Sequence, residues 1–130
     1  MSELATEFGF QHLLGFEVDQ GDGTARCTID LTADHLNPNG VAHGGVAYAM
    51  MDTAMGRATM SAIEDGKICA TIEMQVRYFR GVTGGRLEAT SKVINAGRRI
   101  VHLEARTLDA DGRLVASATS SYAVLDAPSR

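Results

Sequence analysis

One long helix with apolar residues on all sides constrains the fold of this chain more than any other feature. The sequence predicts this helix over residues 44–63, with apolar residues almost all the way round it. A helix of this kind must be covered on most sides, and a strongly curved antiparallel sheet wrapped around it provides that cover. We therefore expect an α+β fold in which residues 1–130 form a single domain, as suits a chain of this length.

Strand and turn patterns on both sides of this helix supply the sheet. Residues 2–14 have helical spacing, with Ser2 as the cap and Gly15 as the end. Strands are predicted over residues 16–19, 24–31, 71–79, 86–94, 100–108 and 114–125, with a loop over residues 32–42 and a hairpin turn at residues 95–97. In the strand 71–79 the alternation is strict, which places Thr71 on the face opposite to Met74 and Val76. Small residues on the last strand would let the helix approach closely; they are Ala116, Ala118 and Ser120.

A single acidic residue, Asp52, interrupts the apolar helix nine positions after His43, and two glycines follow that histidine. A carboxylate on an apolar helix must be paired, protonated or used in chemistry. Gly44 and Gly45 at the start of the helix would let a substrate approach free backbone N–H groups, where the helix dipole favours negative charge. Together these features predict chemistry on a carbonyl group. The structural alternative is that the acid bonds to a neighbouring loop and that the glycines only permit tight packing.

Composition and charge exclude several classes of protein. The net charge of −4 does not favour nucleic acid as a partner. Cys27 and Cys69 are far apart in sequence, and we expect reduced thiols, as in a cytosolic protein. The N-terminus lacks the basic region of a signal peptide, and no apolar run reaches the length of a transmembrane helix. The sequence therefore predicts a cytoplasmic protein with no membrane partner.

The segment Asn37-x5-His43-Gly44-Gly45-x6-Asp52, followed by a meander of strands, resembles the PaaI-like hotdog-fold thioesterases. These enzymes hydrolyse acyl-coenzyme A thioesters to the free acid and coenzyme A. The resemblance extends from about residue 8 to residue 125 and includes the segments 97–99 and 111–116. It implies a hotdog fold, in which a curved antiparallel sheet wraps around one long central helix, and a thioester hydrolase activity.

The same resemblance implies roles for Gly44, Asp52, Thr71 and Asn37, and the residues themselves suggest a structural role for His43. The backbone N–H of Gly44 would donate to the thioester oxygen, and Asp52 would activate water or attack the carbonyl itself. The hydroxyl of Thr71 would contact the acid or the attacking water. Asn37 can hold a substrate or water oxygen through its amide, although it also suits a plain turn beside a proline. His43 would fix the loop that presents Gly44. Neither His35 nor His43 has metal-ligand spacing, so no metal and no cofactor are expected.

A second set of residues would bind the substrate. Gly45 can add a backbone donor, and Tyr48 and Met51 lie near the acid on the helix and could line an acyl pocket, although packing in the core is the default for both. Coenzyme A carries phosphates, which guanidinium groups bind well. The candidate arginines are Arg77, Arg80, Arg98 and Arg99, with a solvated strand face as the alternative for each.

Geometry predicts that the site is shared between subunits. Gly44 and Asp52 are roughly 12 Å apart along one helix, so a single helix does not easily bring both to one carbonyl. We expect a homodimer, and a homotetramer of two dimers, in which Asp52 of one subunit meets Gly44 of the other; the resemblance implies dimers whose sheets join edge to edge.

Two other functions stay open: a non-catalytic acyl-CoA-binding protein, and an acyl-CoA hydratase or dehydratase on the same fold. Aryl-acetyl, benzoyl-type and aliphatic acyl groups all fit an apolar cleft.

Overall fold

The computed structural model describes residues 8–128, in which six strands form one sheet around a long helix. The elements in chain order are α1 (Gly9–Leu14), β1 (Glu17–Gly21), β2 (Thr24–Leu31), a short 3₁₀ helix (Ala33–His35), α2 (Gly44–Ala62), β3 (Lys67–Tyr78), β4 (Gly85–Ala96), β5 (Ile100–Leu108) and β6 (Leu114–Asp126). The first predicted helix is confirmed over its last six residues and ends at Gly15, whose φ of 85° suits glycine. Its cap at Ser2 lies outside the described residues.

The sheet has the strand order β1-β2-β4-β5-β6-β3, and all its pairs are antiparallel. One face packs on α2, whose Met50, Met51 and Met55 are fully buried in the core. The predicted small residues of β6 are buried against the helix, and the Ser120 hydroxyl lies 3.0 Å from the Met55 sulfur. The expected α+β architecture is thereby confirmed. Within residues 8–128 no helix is long and apolar enough to cross a membrane.

β3 and β4, with 12 residues each, differ most in length from the strands that the sequence patterns predicted. β3 begins at Lys67 rather than at Thr71, because its first residues pair with the end of β6, where Lys67 also forms an ion pair with Asp126. β4 continues to Ala96, into the hairpin turn predicted at residues 95–97, and the chain reverses over residues 97–99 instead. In both cases pairing with a neighbouring strand extends the element beyond its alternating pattern.

A β-bulge corrects the predicted alternation of β3. The register shifts between Thr71 and Glu73, so that Ile72 is the extra residue. Thr71 pairs with Tyr122 and therefore faces α2, on the same side as Met74, whereas strict alternation had put it on the opposite face. The bulge thus turns the Thr71 hydroxyl towards the helix without breaking the strand.

β3 forms one edge of the sheet and has 12 residues, whereas β1 at the other edge has five. Apolar side chains of the β3 edge are exposed, among them Ile72, Tyr78 and the following Phe79. A long edge strand with exposed apolar residues can pair with the same strand of a second chain.

Candidate active site

The loop before α2 is held in place by His35, which is buried. Its Nδ1 accepts the Thr32 N–H at 2.9 Å, which leaves Nε2 to donate to the Leu14 carbonyl oxygen at 2.6 Å. The His35 carbonyl oxygen accepts the N–H of His43 at 2.8 Å. This chain of contacts connects the end of α1 to the first residue before α2. His35 therefore has a structural role.

His43 caps the N-terminus of α2. Its Nδ1 accepts the N–H of Gly45 at 2.8 Å, while its carbonyl oxygen accepts the N–H of Val46 at 2.9 Å. The N–H of Gly44 has no acceptor within residues 8–128, so it is the N–H at this helix end that a ligand can use. Gly45 was expected to add a second donor, and that expectation is wrong because the histidine ring already accepts its N–H.

Asn37 shapes the loop beside this helix end. Its Oδ1 accepts the N–H groups of Asn39 at 2.9 Å and Val41 at 3.3 Å, so the oxygen is fully engaged in the turn. The opposite end of the amide is the NH₂ group, which has no acceptor among the described residues. Asn37 is half-buried. It therefore combines the turn role with a donor that a substrate or water oxygen could use.

Aromatic side chains flank Gly44. The Tyr78 hydroxyl donates to the Gly44 carbonyl oxygen at 2.6 Å, and a Cβ at position 44 would lie 3.1 Å from a carbon of the Tyr78 ring. Burial raises the pKa of Tyr78, and the neighbouring Tyr48 adds to this effect. Tyr48 is exposed one turn into the helix. Met51, by contrast, is fully buried in the core, which corrects the expectation that it lines an acyl pocket.

Asp52 is half-buried, and both of its side-chain contacts are made by one oxygen. Its Oδ1 accepts a hydrogen bond from the Thr71 hydroxyl at 3.0 Å and a short one from the Tyr122 hydroxyl. The Tyr122 hydroxyl also lies 2.6 Å from the carbonyl oxygen of Asp52. Asp52 Oδ2 has no hydrogen-bond partner in the described part of the chain.

Tyr122 was missed in the sequence because it is 70 positions away from Asp52 and occupies an ordinary strand position. Its ring is 2% exposed. Burial raises the pKa of Tyr122 above its usual range, and the hydrogen bond and charge of Asp52 act in the same direction. The phenol is therefore a neutral donor to the carboxylate at all ordinary pH values. The large aromatic residue among small ones on β6 is the signal that could have drawn attention to it.

These residues form two separate half-sites in one chain. The donor half-site contains Gly44, with Asn37 and His43 around it, and the acid half-site contains Asp52 with Thr71 and Tyr122. The two lie eight residues apart along α2, about 12 Å at the helical rise per residue. They also lie at different points of β3, since Thr71 pairs with Tyr122 whereas Tyr78 pairs with Ala116. A single carbonyl cannot contact both half-sites of one chain.

The four candidate arginines are exposed, and none forms an ion pair within residues 8–128. Arg80 follows β3 in the segment that bonds to the loop before α2, near the donor half-site. Arg98 and Arg99 lie in the β4–β5 turn, where the Arg99 carbonyl oxygen accepts the N–H of Val124 at 2.8 Å. Arg77 pairs with Ser117 on the outer face of the sheet, away from α2, so it does not share a surface with Gly44 in this chain.

A groove of about 720 Å³ on the outer face of the sheet is lined by residues of β1, β2, β4 and β5. Its charged side chains are largely paired with each other: Arg26 lies 3.4 Å from Asp19, and Lys92 lies 3.2 Å from Glu104. The groove is on the face opposite to both half-sites. We therefore do not assign the reaction to it.

The curved antiparallel sheet around one central helix defines a protein of the hotdog-fold class. The sequence pattern of the thioesterase superfamily matches residues 39–116, which include all of α2. The chain belongs to this superfamily. It is a thioesterase-family hydrolase.

The fold is shared with two solved structures, and a third similar protein is named a thioesterase. A conserved protein from Pseudomonas aeruginosa is 31% identical, with a TM-score of 0.88 over 92% of this chain and 96% of that one. A thioesterase from Haemophilus influenzae is 24% identical, with a TM-score of 0.85 over 90% of this chain and 82% of that one. The proofreading thioesterase EntH of Cronobacter turicensis is 26% identical over 113 residues, which are 86% of this chain and 82% of that protein.

Proposed function

We propose that this protein hydrolyses acyl-coenzyme A thioesters to the free acid and coenzyme A. The observation that carries the proposal is the arrangement of Asp52, whose Oδ1 is held by two hydroxyl groups while Oδ2 is left for a reactant. Gly44 supplies the N–H that stabilises negative charge on the thioester oxygen. The similarity to a thioesterase named for proofreading is consistent with a thioester substrate.

The chemistry follows from the charge that develops on the carbonyl. Attack on a thioester gives a tetrahedral oxyanion, and a preorganised N–H at a helix N-terminus stabilises it. As a general base, Asp52 takes a proton from water while the water oxygen bonds to the carbonyl carbon. The C–S bond then breaks, and the thiolate of coenzyme A leaves and takes up a proton. As a nucleophile, Asp52 would form an anhydride by expelling the thiolate, and water would then hydrolyse it.

The two half-sites come together when two chains pair through β3. In an antiparallel pair of β3 strands with Met74 of one chain opposite Val76 of the other, the bulge at Ile72 brings Thr71 of one chain opposite Tyr78 of its partner. Thr71 contacts Asp52, and Tyr78 contacts Gly44. The pairing therefore places each acid half-site beside the partner's donor half-site. We propose this homodimer as the catalytic unit and a pair of such dimers as the tetramer.

The remaining assignments concern binding and location. Arg80, Arg98 and Arg99 are the exposed cations that we assign to the phosphates of coenzyme A, and exposed Tyr48 borders the acyl group. Cys27 and Cys69 are both free thiols, which suits a reducing compartment. We place the protein in the cytoplasm on this ground.

The test is release of free thiol from a panel of aryl and aliphatic acyl-CoA substrates by wild-type protein and by Asp52→Asn. Loss of a general base costs about 10²–10⁴-fold in kcat, and we expect a loss of this size with the fold intact. Asp30→Asn, which removes an exposed carboxylate on β2, is the matched control and should keep full activity. Retention of more than about a tenth of kcat by Asp52→Asn would show that Asp52 is neither base nor nucleophile.

A further inference from the structure

Tyr122 lies against the reactive acid but not on the surface that a substrate can reach. Its hydroxyl donates to Asp52 Oδ1, and its ring is 2% exposed on the helix-facing side of β6. The Thr71 hydroxyl donates to the same oxygen from the neighbouring strand. Two donors from adjacent strands thus converge on one oxygen of a carboxylate that belongs to a third element.

We infer that Tyr122 is a positioning residue that, together with Thr71, fixes the Asp52 carboxylate so that only Oδ2 meets the substrate or the attacking water. This inference rests on the proposed function, because it assigns a role in the reaction of Asp52. Tyr122 acts through Asp52 and touches no reactant.

The physical need for such a device comes from the aspartate side chain. Rotation of a carboxylate about its last bond is broad and weakly restricted, so an unsupported Asp would present either oxygen in many directions. Two hydroxyl donors on Oδ1 remove this freedom and aim Oδ2. A reacting group misplaced by about 1 Å can lose roughly 10²-fold in rate. Hydrogen bonds to an ionised group are also stronger than those between neutral groups, so the contact persists during turnover.

The bulge in β3 and the size of Tyr122 serve the same geometry. The bulge at Ile72 turns Thr71 to the helix side, where it faces Asp52. Tyr122 is paired directly with Thr71, so the two hydroxyl groups reach the carboxylate side by side. A phenol is long enough to reach from β6 to α2 at a position where the inward-facing neighbours Ala118 and Ser120 leave room.

The test compares Tyr122→Phe with Ser120→Ala. Phe keeps the ring and removes only the hydroxyl, whereas the Ala variant removes a buried hydroxyl from the same face of the same strand that contacts Met55 instead of the acid. We expect Tyr122→Phe to lower kcat roughly 10- to 100-fold with KM changed less than about twofold, and Ser120→Ala to keep wild-type kcat. In an Asp52→Asn background, Tyr122→Phe should cause no further loss. A kcat within about twofold of wild type for Tyr122→Phe, whatever its melting temperature, would overturn the inference.

A second measurement does not require the Phe variant to fold. A phenol that donates to a carboxylate oxygen absorbs at longer wavelength than one without this bond, so Asp52→Asn should shift the near-ultraviolet absorbance of one tyrosine to shorter wavelength at neutral pH. Identical near-ultraviolet tyrosine spectra of wild type and Asp52→Asn would show that the phenol does not bond the carboxylate. If Asp52→Asn is inactive but Tyr122→Phe is fully active, the inference fails while the proposed function stands. If Asp52→Asn is active, the proposed function itself fails.

Discussion

The Tyr78 hydroxyl donates to the carbonyl oxygen of Gly44 at 2.6 Å, and a Cβ at position 44 would crowd the Tyr78 ring at 3.1 Å. The first residue of α2 is therefore covered on one side, while its N–H has no acceptor among residues 8–128. Because Tyr78 covers Gly44 without bonding its N–H, substitutions can separate the effect of the N–H on the reaction from the effect of crowding at Tyr78.

Two substitutions at position 44 make that separation. Gly44→Pro removes the N–H at the first helical position, where the backbone accepts proline, and the ψ of 137° at His43 suits a residue before proline; its Cβ also displaces Tyr78. Gly44→Ala keeps the N–H and only displaces Tyr78. We expect kcat of Gly44→Pro to fall about 10²–10³-fold, as for loss of an oxyanion donor. The kcat of Gly44→Ala should stay at least about tenfold above that of Gly44→Pro. Equal losses would mean that crowding at Tyr78, and not the donor, limits the reaction.

Removal of the helix cap at His43 should lower stability. His43→Ala leaves the Gly45 N–H without its acceptor, which typically costs about 1 kcal/mol in the free energy of unfolding. His43→Asn offers a good capping group and should recover most of this loss. Urea unfolding at one protein concentration measures the free energy of unfolding of both His43 variants, and His102→Ala on the exposed face of the sheet is the control. Equal stability of the Ala and Asn variants would show that the ring does not act as a cap.

The thiol of Cys69 reports the charge of Asp52. Burial raises the pKa of Cys69 to about 11, and the Asp52 carboxylate acts in the same direction. Asp52→Asn removes this negative charge, so the thiolate forms at lower pH and alkylation at about pH 9 should be faster. Peptide mapping after iodoacetamide treatment measures the rate, and fully buried Cys27 serves as the internal control. An unchanged Cys69 rate would mean that Asp52 carries no charge near this thiol.

Charge reversal at Arg98 and Arg99 should weaken binding of the nucleotide more than it slows the chemistry. Contacts far from the carbonyl act as uniform binding, so KM for acyl-CoA should rise more than kcat falls. A short thioester without the nucleotide should be affected little. The matched control is the double reversal of Arg86 and Arg106, which are exposed on the outer sheet face. Equal losses on both substrates would remove these arginines from the binding site.

The sequence predicted the elements whose patterns are local. The apolar run of α2 was located to within one residue of its end, and the strand β2 was predicted with its observed bounds. The bulge at Ile72 could not be predicted, because an alternating pattern does not record which residue the partner strand skips. The Thr71 hydroxyl therefore reaches Asp52 from the face opposite to the one that strict alternation predicted.

The candidate site could be predicted in part, because some of its residues lie close together in the sequence. His43, Gly44 and Asp52 lie in one segment, and their spacing carries the family resemblance. Tyr122 reaches Asp52 only through pairing of β6 with β3, which no local pattern encodes. Met51 and Asp52 are neighbours in sequence, but the turn of the helix places one in the core and the other at the edge of the sheet.

Subunit mixing tests most directly the claim that each site is shared between two chains. Inactive Asp52→Asn and inactive Gly44→Pro are refolded together, so that half of the dimers contain one chain of each kind. Each mixed dimer then has one site with both wild-type groups, and about a quarter of wild-type activity should return. Wild type mixed with the double variant is the control: shared sites predict that about a quarter of full activity remains, whereas sites within one chain predict about a half. Absence of recovered activity in demonstrated mixed dimers, or a fully active monomer, would contradict the shared site.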